Sequence, residues 1–164
     1  MRIALLAGGV AVAVLVAVVV VGLRLTGDDE PKWSEQATAA CERALVRGRA
    51  LVVAGAAIKP VERQVVEVFA GAIEVESDML SELQALPRPS ADDEEIERAL
   101  AVVADSHRDD LAVLARLRRT FDRGVFEQRV NETIPVLADL RSRFNALGAT
   151  GCVSYYDPNS YAGG

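Results

Sequence analysis

Hydrophobic residues are arranged in two unlike ways along this chain. From Ile3 to Leu23 they form one apolar run fenced by Arg2 and Arg24, and beyond it they recur every three or four residues among charged positions. A run of about 20 apolar residues matches the ~30 Å hydrocarbon core of a bilayer, with every backbone polar group satisfied inside the helix. Residues 1–25 are therefore expected to be a transmembrane signal anchor and residues 26–33 a polar linker. A cleaved secretory signal has a shorter apolar stretch and a small-x-small exit. Here Val21 and Leu23 stand where small residues are needed, and Arg24 interrupts any later site. Cys41 is not a lipid-attachment cysteine, because the polar segment from Arg24 to Gln36 separates it from the apolar run.

After the linker, Trp33 and Ser34 open a first helix, with Ser34 as its expected N-cap. Cys41, Leu45, Gly48, Val52 and Gly55 alternate four and three residues apart, the repeat that keeps one seam facing its neighbours in a left-handed bundle. Pro60 suits the first turn of a second helix, where its missing N–H costs nothing. That helix carries Val66, Phe69, Ile73, Leu80 and Leu83, is interrupted by Glu76, and ends at Pro87-Arg88-Pro89. A third helix, about Ala91 to Phe121, follows a capping-box-like Ser90 and Asp93. Its stripe runs through Ile96, Leu100, Val103 and His107, then shifts phase to Leu111, Leu114, Leu117 and Phe121. Asp122-Arg123-Gly124 is expected to turn the chain into a fourth helix, carrying Phe126, Val130, Thr133, Leu137, Leu140, Phe144 and Leu147. Gly148 is its expected stop, and Pro135 is expected to bend it.

The predicted fold is all-α: the transmembrane helix, then an antiparallel up-down-up-down four-helix bundle over residues 34–152. In that topology the start of the first helix and the end of the fourth lie together, which is where Cys41 and Cys152 fall. A Cys41–Cys152 disulfide needs an oxidising compartment, so it favours an extracytoplasmic bundle with a cytoplasmic amino terminus; two buried thiols are the alternative. The positive-inside count is nearly tied and does not decide the orientation. Residues 153–164, which hold all three tyrosines, read as a mobile tail.

Charge narrows the partners. After Arg2 and Arg24 are set aside, 16 basic residues face 24 acidic ones, and the arginines are dispersed among Asp and Glu. Nucleic acid, which needs clustered cations, is a poor partner. The expected partners are membrane lipid, through the anchor, and another envelope protein.

Early-helix Cys41, mid-chain Leu83-Gln84-Ala85-Leu86-Pro87-Arg88-Pro89 and the closing Ala146-Leu147-Gly148 ahead of Cys152 give the chain a recognisable layout. It resembles small actinobacterial cell-envelope proteins that carry an export segment and an all-helical domain. The resemblance implies no activity, cofactor or catalytic residue.

The residues themselves carry no pattern of catalytic or metal chemistry. A di-iron bundle needs Glu-x-x-His pairs, but His107 is the only histidine and Ala104 precedes it by three. Two distant cysteines and one histidine are a poor zinc set, and no Ser-His-Asp set or glycine-rich phosphate loop is present. No enzyme, metal or cofactor is expected. His107 and Asp110, with Arg108 and Asp109 beside them, are the one polar cluster near a core face: a half-buried imidazole paired with a carboxylate, or a pH-responsive switch. Glu76 and Thr133 read as bundle-edge positions. Asn131-Glu132-Thr133 matches a glycosylation pattern but lies inside a predicted helix. Trp33, Tyr155, Tyr156 and Tyr161 are candidates for contact with lipid headgroups or a partner. The expected function is a non-catalytic interaction or scaffolding module in the cell envelope; a bundle that binds a small apolar ligand is the alternative, and a pH-responsive sensor a more distant one.

Overall fold

A computed structural model of the chain describes residues 32–161. The expected anchor, residues 1–25, lies outside the described residues, as do residues 26–31 of the linker and 162–164 of the tail. Among the described residues no helix is long and apolar enough to cross a membrane.

Four long helices form the body: α1 (Trp33–Gly55), α2 (Val61–Ala85), α3 (Asp93–Arg119) and α4 (Arg123–Ala146). A short helix, α5 (Thr150–Tyr155), and a 3-10 turn (Pro158–Tyr161) follow. Local chemistry sets most boundaries. The α1 helix begins one residue before the expected cap: the Lys32 carbonyl accepts from Glu35 and Gln36, which leaves Ser34 inside the first turn. Directly after Pro60, α2 starts. Asp93, Glu94 and Glu95 open α3 and Arg116, Arg118 and Arg119 close it, so both ends of its dipole meet opposite charge. Asp122 is the N-cap of α4, its Oδ1 accepting from the Val125 N–H at 3.2 Å, so Arg123 and Gly124 belong to the first turn rather than to a loop. The helix runs on through Pro135. Its end is a Schellman motif: Gly148 takes φ +73°, Ala149 N–H reaches the Phe144 carbonyl and Gly148 N–H the Asn145 carbonyl.

Lateral pairs fix the directions. Arg47 meets Asp78 while Leu51 meets Gly71, so residue numbers fall along α2 as they rise along α1. Arg143–Glu95 and Arg129–Asp110 give the same reversal for α3 and α4. The four helices are neighbours in chain order, α1 to α2 to α3 to α4. Between α1 and α4, however, there is no direct helix-on-helix packing among the described residues. Instead α5 packs against both.

Small residues make that closure possible. Gly151 lies so close to α1 that an added Cβ would sit 2.3 Å from the Thr38 carbonyl oxygen, a backbone atom that cannot move aside. Beside it Cys41 and Cys152 form the disulfide, with Cα atoms 4.8 Å apart. The core is concentrated here: Ala37, Ala40 and Ala44 of α1, Met79 and Leu83 of α2, Ile96, Ala99 and Leu100 of α3, and Leu140 and Phe144 of α4 are all buried.

The expectation of a mobile tail is corrected over residues 153–161. Tyr156 is buried and stacks on Phe144, with ring centroids 5.7 Å apart, and Tyr155 meets Tyr156 edge-on. The chain then runs along α1, where Arg49 donates to the Ser160 carbonyl at 2.7 Å and the Tyr161 ring covers Gly48. Aromatic rings bury large apolar areas, and the gap between α1 and α4 gives these a place to do so.

Candidate functional site

Two places in the bundle are unlike the rest: a buried polar cluster at mid-height, and an apolar groove at the end opposite the disulfide.

The cluster is built from three helices. Arg129, at the centre, has a side chain only 7% exposed. Its Nε donates to Asp110 Oδ1 at 2.6 Å, and one terminal nitrogen donates to both the carbonyl and the hydroxyl of Ser106 at 2.9 Å. The other terminal nitrogen lies 3.9 Å from Asp109. These bonds use the guanidinium as a planar fork that clamps α3 to α4. Beside it, Glu76 of α2 brings Oε2 within 3.4 Å of His107 Nδ1, and both side chains are largely buried. The contact is a close approach rather than an aligned hydrogen bond, and His107 Nδ1 has no hydrogen-bond partner among the described residues. Burial, and then the negative charge of Asp110, push the Glu76 carboxyl up to about 7, against the pull of Arg129.

The candidates His107 and Asp110 thus share one cluster but not one partner, since His107 faces Glu76 and Asp110 holds Arg129. Glu76 is not an edge position; it is buried inside the cluster. The α4 stripe also needs correction. Val130 and Ile134 are exposed and Arg129 is buried, so the inward row runs Phe126, Arg129, Thr133 rather than Phe126, Val130, Thr133. On α3, Leu111 is likewise exposed while Asp110 turns inward. The missed residues, Arg129 and Ser106, keep helical phase with their stripes. The sequence signal was therefore an arginine three residues after Phe126, with an aspartate at the matching height of the facing helix.

Trp33, Tyr155 and Tyr156 are buried, and Tyr161 is partly covered, its hydroxyl donating to the Tyr155 carbonyl at 3.1 Å. Burial pushes the phenol of Tyr161 up to about 12 and that of Tyr156 well above its usual range. Trp33, Tyr155 and Tyr156 thus close the disulfide end, and Tyr161 keeps part of its ring exposed.

At the opposite end α5 is absent and, among the described residues, nothing fills the gap between α1 and α4. Val52 of α1, Gln64, Val65, Val68, Phe69 and Ala72 of α2, and Phe126 of α4 line an open groove of about 440 Å³. Phe69 and Phe126 meet edge-on at its base, with ring centroids 5.7 Å apart. A second hollow, of about 450 Å³, continues past Val61, Val65, Phe121 and Phe126, where Glu62, Arg123 and Glu127 supply a charged rim. Val52 and Val61 add exposed apolar surface around this end. A contiguous apolar surface of this kind, rimmed by charge, is what a binding site presents.

Among the described residues no three His, Cys, Asp or Glu side chains are placed to hold a metal ion. Comparison of the chain with protein-family models, with curated proteins and with solved structures gives no match.

Proposed function

We propose that this chain is a single-pass, membrane-anchored protein of the cell envelope whose helical bundle stands outside the membrane as a non-catalytic interaction module. The observation that carries the reading is the apolar groove at the free end of the bundle, paired with a disulfide-bridged end next to the linker. In this reading the anchor confines the bundle to the membrane surface and the groove receives an amphipathic helix of another envelope protein. Such a helix would take up at the open end the place between α1 and α4 that α5 fills at the bridged end, with its apolar residues on Val65, Val68 and Phe69. The apolar run Ile3 to Leu23, the oxidised cysteine pair and the resemblance to actinobacterial envelope proteins support the location.

A photo-reactive residue at position 65, in the full chain in its native membrane, is the test. One defined protein adduct is expected, lost when Phe69→Ser is added and absent when the probe sits at the exposed position 97. Adducts of equal yield from both positions, or none from the groove, would reject the interaction module.

The groove also favours a second reading. Its volume and almost wholly apolar lining suit a small hydrophobic ligand held between helices. Extraction of the purified chain with organic solvent, followed by mass spectrometry, separates this reading from the first: a stoichiometric small molecule supports it, and a clean extract from a chain that still gives the protein adduct removes it.

A further inference from the structure

We propose that the outward face of α1 is a self-association surface on which a second copy of this chain packs, α1 beside α1 and parallel. The α1 helix carries two apolar seams, and the packed bundle uses only one. The inner seam runs through Cys41, Leu45 and Gly48, all buried. On the opposite side Ala39, Val46, Ala50 and Val53 repeat with the same three- and four-residue intervals once Arg43 is counted in the row. Val46 is 64% exposed and Val53 69%, the two highest values among the large hydrophobic residues that stand exposed. A shallow hollow lined by Ala39, Glu42, Arg43, Val46 and Arg47 lies on the same face. A seven-residue apolar repeat with small and β-branched residues is what one helix needs to seat another at close range.

Two observations identify the occupant as a second copy. The first is where the chain outside the structure joins: it enters α1 at Trp33. The proposal rests here on the reading of residues 1–25 as an anchor. An anchor there holds two copies in one bilayer and raises their local concentration for each other. The second is charge. Glu42 and Arg47 flank the seam on opposite sides, five residues apart, the spacing at which parallel paired helices exchange ion pairs. Among the described residues Glu42 makes no ion pair, and Arg47 is half-exposed and pairs with Asp78 at 2.8 Å, which leaves guanidinium donors for a second carboxylate. A two-fold axis forms the Glu42–Arg47 pair twice. Arg43, inside the seam, is bound by Glu82 of its own chain, so it meets its symmetry mate with its charge already countered.

The test uses the full-length chain in membrane vesicles. Benzoylphenylalanine at position 46 or 53 is expected to give a dimer adduct whose mapped partner is α1 near the same position, and no dimer adduct is expected from position 97. The double variant V46E/V53E is expected to weaken self-association, read by energy transfer between labelled copies, by about tenfold or more, because it sets like charges against each other in the seam. E42R is expected to weaken it less, and E42R/R47E to restore it. Adducts that join position 46 to position 53 overturn the parallel arrangement, and unchanged self-association in V46E/V53E overturns the surface itself. Alkaline extraction separates the anchor from the dimer. A chain that washes off the membrane while its α1–α1 adducts persist removes the anchor reading; a chain that stays without adducts removes the dimer.

Discussion

The two ends of this bundle are made from the same four helices and differ in what lies between α1 and α4. At the Trp33 end, α5 fills that gap, Cys41 and Cys152 bridge it, and Tyr155 and Tyr156 seal it. At the Gly55 end none of the described residues fills it, and Val52 and Phe126 line an open groove. The difference teaches that heptad spacing specifies a helix face but not its cover. Val52 continues the Cys41–Leu45–Gly48 seam in strict register, yet it is exposed because no helix among the described residues covers it.

If the closed end holds the fold together, breaking its bridge has the largest effect. Cys41 and Cys152 are 111 positions apart, and closing a loop of that length removes about 4–5 kcal/mol of unfolded-state freedom in the chain-entropy model. C41A/C152A is expected to lose an amount of that order in urea unfolding, with α5 amides losing hydrogen-exchange protection first. A loss under about 1 kcal/mol, against that model figure, would mean that aromatic packing alone closes this end.

The polar cluster lies between the two ends, and its clamp comes next in size. Arg129→Leu leaves Asp110 buried opposite an apolar side chain, which is expected to cost about 3 kcal/mol or more. Adding Asp110→Leu is expected to recover most of that loss, since an apolar pair replaces an uncompensated charge. Failure of the double variant to recover would show that the Ser106 bonds, rather than the ion pair, hold α3 to α4 at this height.

How much of this was legible in the sequence follows the same division. The all-helical class, the four long helices, the αL stop at Gly148 and the pairing of Cys41 with Cys152 could all be read, because each rests on local periodicity, turn chemistry or a simple topological consequence. Cover could not be read. Tyr155 and Tyr156 sit in a short polar segment with no period of its own, and only the unfilled gap between α1 and α4 makes them core residues. Glu76 reads as an edge and Arg129 goes unread for a related reason: a charged residue in or beside a stripe looks solvent-facing until the facing helix is known to carry its partner. For Arg129 that partner is Asp110, 19 positions earlier.

A pH series sharpens the middle of the molecule. The Glu76 carboxyl ordinarily titrates near 4.5, and in the folded chain it is pushed up to about 7. Between those values the unfolded chain releases the proton while the folded chain keeps it, so stability falls as pH rises through this window and levels off above it. The size is on the order of 2 kcal/mol once residual solvent access is allowed for. Glu76→Gln is expected to flatten the slope between pH 5 and pH 8 and to make the protein more stable at the upper end. A slope unchanged in Glu76→Gln would place the titrating group elsewhere.

The smallest effect gives the most direct comparison of the two ends, because it applies one substitution to both. Val75, buried at 4% exposure on α2, faces the closed half, and Val52, 46% exposed on α1, lines the groove. Val75→Ala removes apolar contacts from a packed core and is expected to cost about 1–2 kcal/mol. Val52→Ala removes the same atoms from a surface that water already reaches, and is expected to stay within about 0.5 kcal/mol. Binding of an apolar fluorescent probe should reverse the order, with Val52→Ala reducing it and Val75→Ala leaving it unchanged. Equal stability losses at the two sites would mean that the groove closes in solution, with α1 and α4 drawing together over Phe69 and Phe126. In that case the open end would be a second core and not a binding surface.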